Sequence, residues 1–145
     1  MLPRMAVGGN QVTREWTSRV TALAEAGTIN PLIVAAHIGW LAGIVDGEGT
    51  IYVHRNRQYR LVVVVNTDLD LLRDVQRRLD AIGVRWKMYE HKQNQRDWFR
   101  RKTRYDIHVY STAADELCKI LRPMLSRRKR KRATCVLRRR PTAGV

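Results

Sequence analysis

Acidic residues are scarce in this chain: 13 Asp and Glu stand against 28 Lys and Arg, a formal net charge of +15 at pH 7. That imbalance points to a polyanionic partner, nucleic acid first and an anionic membrane surface second. Cysteine is scarce too, with Cys118 and Cys135 the only two. Both lie in basic, helix-compatible surroundings, which favours reduced packing residues over a disulfide or a metal pair. No apolar run reaches the roughly 18 residues needed to cross a bilayer, and the N-terminus lacks a signal-peptide pattern. The expected setting is therefore aqueous and intracellular, with no membrane partner. What remains suffices for one core, since 145 residues with 44% hydrophobic content make a single domain.

The first thirty residues read as an N-terminal extension. Met1 to Asn10 carries Pro3, Gly8 and Gly9 without periodicity, and Thr13 to Ala26 is helix-compatible until Gly27. Its role is not legible. A single domain is expected over residues 31–145. Asn30-Pro31 opens its first helix, with Asn30 as N-cap and Pro31 at the first helical position.

That helix ends in Leu-Ala-Gly-Ile-Val-Asp-Gly-Glu-Gly, Leu41 to Gly49, and runs straight into Thr50-Ile51-Tyr52-Val53, which alternates as a strand. Two carboxylates thus sit where a helix ends beneath a sheet. In a chain built to attract phosphate they repel it unless a cation intervenes, so the arrangement asks for a divalent metal bridging carboxylate and nucleic-acid phosphate. Within the helix, Gly39, Gly43 and Gly47 recur on one face. Glycines so spaced admit a second backbone, either the protein's own sheet or another helix, and spacing alone leaves both open.

After the motif the hydrophobic period changes from 3.6 to 2. Thr50, Tyr52 and His54 alternate with Ile51 and Val53, Arg55-Asn56-Arg57-Gln58 makes a turn, and Tyr59 to Val65 is a β-branched run. Asp68 caps an amphipathic helix to about Ile82, terminated by Gly83. Val84 to Lys92 and Thr103 to Tyr110 read as strands, and Ala113 to Leu121 and Pro123 to about Leu137 as helices. This order suits an α+β fold with one antiparallel sheet and its helices on one face.

The other face is left for a partner. Arg85, Lys87, Tyr89 and His91 share one side of the third strand, and Arg104, Asp106, His108 and Tyr110 one side of the fourth. On the second strand the outward set would be Arg60, Val62, Val64 and Asn66. Valines there either touch thymine methyls or mean a strand buried on both faces. Together with Thr50, Tyr52, His54 and Arg57, these polar residues suit a ribbon lying in a major groove, or an ordinary solvated face. The segment from Lys92 to Thr103 carries Arg96, Arg100, Arg101 and Lys102 around Trp98-Phe99 and reads as a phosphate clamp. Arg127 to Arg132 is an unbroken basic run with no acid after Glu116; it reads as a localisation signal or a solvated helix end.

The motif and the element order from about Pro31 to Arg138 resemble the LAGLIDADG homing endonucleases, in the single-motif, homodimeric type. The resemblance implies an αββαββα(α) domain whose curved sheet forms a DNA-binding saddle. It implies a homodimer seam through Gly39, Ala42, Gly43, Asp46 and Gly47. It implies Glu48 as the catalytic metal ligand, the Gly47 carbonyl as a further oxygen donor, and Asp46 as a structural acid closing the helix end. Counting from Pro123, the family's catalytic lysine position falls on Arg128, a departure, with Lys129 beside it. Thr67 stands near the family's water-holding polar residue, and an arginine expected one turn later is replaced by Leu71. The implied activity is site-specific double-strand DNA cleavage of intron-homing type on a long pseudo-palindromic target, with Mg2+ or Mn2+ as cofactor and Ca2+ supporting binding without cutting. The alternative is a non-cleaving relative, an RNA-splicing maturase bound to intron RNA or a DNA-binding regulator. Retention of Glu48 favours the enzyme.

Overall fold

A computed structural model of the chain describes residues 21–22, 25–26, 30–54, 59–92 and 102–138. Arg57, Arg100 and Arg101, and nearly all of the N-terminal extension, lie outside them. Asn30 caps the first helix, α1 (Pro31–Glu48), its side chain accepting from Leu32 N at 2.9 Å. Then follow β1 (Gly49–Val53), β2 (Arg60–Asn66), α2 (Leu69–Ala81), β3 (Lys87–His91), β4 (Arg104–Tyr110), α3 (Thr112–Leu121), a 3-10 turn (Arg122–Met124) and α4 (Arg127–Leu137). The strands form one antiparallel sheet in the order β1-β2-β4-β3.

Local chemistry explains the element ends. Asp68 accepts from Asp70 N and Leu71 N and so starts α2. Gly83, at φ +73°, stops the chain after it, a conformation that costs a residue with a Cβ. At the α1–β1 junction the constraint is steric: a Cβ on Gly49 would sit 2.8 Å from Val45 Cα and O. Only glycine lets the helix turn into the strand so abruptly.

The core lies between the helices and one face of the sheet. Val34, Ile38, Leu41 and Val45 of α1 and Leu72, Val75 and Leu79 of α2 meet Ile51, Val62, Val64, Ile107 and Val109 of the strands. The structure corrects the expected orientation of β2. Val62 and Val64 face the helices at 2% and 4% exposure, while Leu61 and Val63 on the other side are also buried. The strand is hydrogen-bonded to β1 and β4 and covered on both faces, which removes the alternation that would have shown its orientation.

Two boundaries also move. β3 begins at Lys87, so Val84, Arg85 and Trp86 belong to the connection before it. Pro123 sits in the 3-10 turn, and α4 starts behind Ser126, because Leu125 (ψ 150°) and Ser126 (ψ 160°) are extended.

Candidate metal centre and nucleic-acid interface

The two acids of the motif part company. Asp46 accepts from Ser126 N with both carboxylate oxygens at 3.0 Å and from Ser126 Oγ at 2.9 Å. It thereby caps the N-terminus of α4, where unpaired amides and the helix dipole favour an anion. Glu48, at the last position of α1, is exposed and makes no hydrogen bond or ion pair among the described residues. Its carboxylate and the Gly47 carbonyl are hard oxygen donors of the kind magnesium and calcium take.

Lys129, not Arg128, comes to this junction. Its Nζ donates to the Gly49 carbonyl, and burial, then the charge of Arg128, lower its pKa against the opposing pull of Asp46. Arg128 points outward on α4 and is exposed. Pro123 lies in the 3-10 turn and Ser126 sets the phase of α4, which turns Lys129 toward Gly49. Thr67 is exposed in the bend after β2. It lies at the end of the sheet where β1 begins, since Gly49 pairs with Val64.

On the helix-free face, register lines up Lys87 with His108, Tyr89 with Asp106 and His91 with Arg104. Tyr89 and Tyr110 share a hydrogen bond of 3.1 Å between hydroxyls, and the Tyr89 ring lies 4.7 Å from that of His108. Thr50, Tyr52, His54, Lys87, Tyr89, His91, Lys102 and Arg104 are exposed. Three expected members of this set are corrected. Arg60 turns to the helix side and is buried, its guanidinium paired with Asp115 at 2.9 and 2.8 Å. Asn66 turns the same way, accepting from Asp68 N in the entry to α2. Arg85, exposed in the connection before β3, lines a cavity of about 500 Å³ with Lys87, His108 and Tyr110 of this face. Asp106 is on the right face but only 7% exposed. His91 and His108 approach its Oδ2 at 3.1 and 3.6 Å, and Arg104 Nε its Oδ1 at 3.2 Å without hydrogen-bond geometry. Its carboxylate is occupied by these three side chains instead of meeting a base.

The glycine face of α1 is open. A Cβ on Gly39 would touch Met124 Cε at 3.6 Å, but one on Gly43 or Gly47 would meet nothing within 4 Å among the described residues. The close neighbour for which such spacing makes room is thus not this chain's own sheet. Leu32 and Ile33 at the start of the helix are 78% and 50% exposed. One expected seam residue drops out: Ala42 points into the core at 2% exposure, whereas Asp46 is half-buried and hydrogen-bonded to Ser126. No described helix is long and apolar enough to cross a membrane. Sequence reasoning missed Ser126, the residue that receives Asp46. A serine immediately before a basic helical stretch was the available signal.

Residues 35–127 match the family model described as a LAGLIDADG-like domain. No curated protein matches the chain by sequence. Among solved structures it is similar to the homing endonuclease I-CvuI in complex with its target in the presence of 2 mM Ca. The identity is 23% and the TM-score 0.52, over 73% of this chain and 66% of that one. A second structure of I-CvuI, with an I-CreI target in 2 mM Mg and the DNA not cleaved, is 22% identical with a TM-score of 0.48, over 72% and 65% of the two chains. The chain spans just under two thirds of the length of these relatives, and at such identities the likeness is one of fold.

Proposed function

The chain belongs to the LAGLIDADG-like domain family, and on that premise we propose that it is a site-specific double-strand DNA endonuclease of intron-homing type. It acts as a homodimer on a long pseudo-palindromic target by metal-dependent hydrolysis. The observation that carries this reading is the division of labour between the motif's acids: Asp46 is spent on Ser126, while Glu48 is exposed and unpaired in a chain of net charge +15. An acid held free among so many cations has a use for its charge.

One chain supplies a single free carboxylate there, and no group of three His, Cys, Asp or Glu is arranged to hold a metal ion among the described residues. Magnesium is commonly held by one or two carboxylates together with substrate phosphates. Two copies packed along the open faces of Gly43 and Gly47 bring two Glu48 side chains to one place, and DNA supplies the phosphates. The donor set fits a divalent ion on those terms, with Glu48 and the Gly47 carbonyl as its protein ligands. Such an ion, when bound, supplies charge neutralisation at the phosphate and a more acidic water.

The chain's own groups do the rest. Lys87, His91, Arg104, His108 and the aromatic residues between them hold the half-site against the sheet, with hydrogen bonds to base edges and charge for phosphates. Lys129, held on the Gly49 carbonyl next to Glu48 in the chain, adds positive charge where a pentavalent phosphorus centre becomes more negative.

The test is incubation with DNA spanning the fused flanks of the gene's own intron, with and without magnesium. Wild type cuts both strands only with the metal, and Glu48→Gln binds equally well without cutting. A Glu48→Gln protein that cuts at near wild-type rate refutes the assignment. Tight binding with no metal-dependent nicking by the wild type selects the non-cleaving regulator or maturase instead.

A further inference from the structure

The outward face of α4 has no place in the reading above. Arg127, Arg128, Lys131, Arg132 and Cys135 line a shallow concavity of about 550 Å³ there. None of the four cations has a hydrogen bond or ion pair to a carboxylate among the described residues, and no acid follows Glu116 in the chain.

Two features of this placement work against the free protein. Arg127 and Lys131, and Arg128 and Arg132, are like charges four residues apart on one helix. The first turn of α4 contains no acid and is packed with cations, where the helix dipole disfavours them. Asp46 offsets this only at the cap. A solvated helix face intersperses signs; this one accumulates repulsion that an external anion would relieve. Its position is also constrained. Asp46 holds Ser126, and Lys129 reaches the Gly49 carbonyl, so the inner side of α4 is pinned to the α1–β1 junction beside Glu48.

We propose that this face of α4 is a second nucleic-acid-binding surface, seating the sugar-phosphate backbone of duplex DNA that flanks the cleavage point, apart from the sheet. The occupant is duplex DNA because the same helix is tied on its inner side to the junction that carries Glu48, one helix width from this face, and in this respect the proposal rests on the endonuclease reading. Contacts of guanidinium and ammonium groups to phosphate make the surface indifferent to sequence.

Cys135 makes the test possible. It is exposed within the basic concavity, whereas Cys118 is buried, so an uncharged alkylating reagent reports on this surface in the full chain. With target duplex bound in calcium, alkylation of Cys135 slows by about tenfold or more. A triple variant, Arg128→Gln, Lys131→Gln and Arg132→Gln, loses about two to three units of the log–log salt slope of DNA binding, roughly one per phosphate contact. It keeps the wild-type base preference, and its free form melts at a higher temperature because the repulsion is gone. Target bound with wild-type salt slope by the variant, and no protection of Cys135 in the wild type, overturns this proposal while leaving the endonuclease reading intact. Protection by RNA and not by duplex DNA overturns it in favour of an RNA partner. A wild type that binds no DNA at all overturns both.

Discussion

Asp46 separates architecture from chemistry in the motif, and two substitutions there distinguish the roles. Asp46→Ala removes every acceptor that Ser126 N and Oγ now use at 3.0 and 2.9 Å. Loss of an N-cap acceptor costs about 1 kcal/mol, and loss of an anion at the helix N-terminus a further ~0.3–1 kcal/mol. The second contribution falls toward its upper end here, because the first turn of α4 holds no other acid. The expected destabilisation for alanine is therefore about 1.5–2 kcal/mol. Asp46→Asn keeps Oδ1, which accepts from both Ser126 N and Oγ, and gives up the charge and the shared Oδ2 contact, so a smaller loss of about 0.3–1 kcal/mol is expected. Cleavage should follow the same ranking. As the start of α4 loosens, Lys129 loses its hold on the Gly49 carbonyl, and alanine slows cutting more than asparagine does. Urea denaturation gives the stabilities, and cleavage rates are compared under conditions where all proteins are folded. An Asp46→Asn protein of wild-type stability with cleavage abolished would make Asp46 a metal ligand and refute the reasoning.

Gly43→Leu fills the open stripe on α1 and should overpack a helix–helix seam by about 1–3 kcal/mol or more per interface; sedimentation of the wild type as a monomer, free and on DNA, would dispose of the seam. Asp115→Ala strands the buried guanidinium of Arg60, whose side chain is 7% exposed against 14% for Asp115. About 3–5 kcal/mol of stability should be lost, and most of it regained when Arg60→Met is combined with Asp115→Leu. Unfolding curves decide this; an Arg60→Met protein of full stability but altered base preference would return that residue to the DNA face. His37 has its pKa lowered from 6.5 by burial and by Arg78 and Arg77, so the folded state binds its proton less readily than the unfolded chain does. The stability associated with neutral His37 is complete above pH 6.5 and is lost as pH falls toward the lowered value. His37→Gln should flatten that part of the stability–pH curve; an unchanged slope would rule His37 out as its source.

The sequence by itself determined the features whose physical causes are local. Asn30-Pro31 marks the start of α1 and Asp68 and Gly83 bracket α2, because a cap or a positive φ acts within a few residues. The alternation of Tyr105, Ile107 and Val109 with polar neighbours orients β4 for the same reason. Tertiary structure alone decided the rest. The run from Leu61 to Val65 has no polar partner in its alternation, so only its position between β1 and β4 tells which side faces the helices. Arg60 looks like a reader until Asp115, 55 residues later, claims it. Asp46 and Ser126 are 80 residues apart, as are Gly49 and Lys129. Hydrogen bonds and ion pairs of this kind form only when packing brings distant segments together, and no propensity or periodicity of either segment encodes its partner.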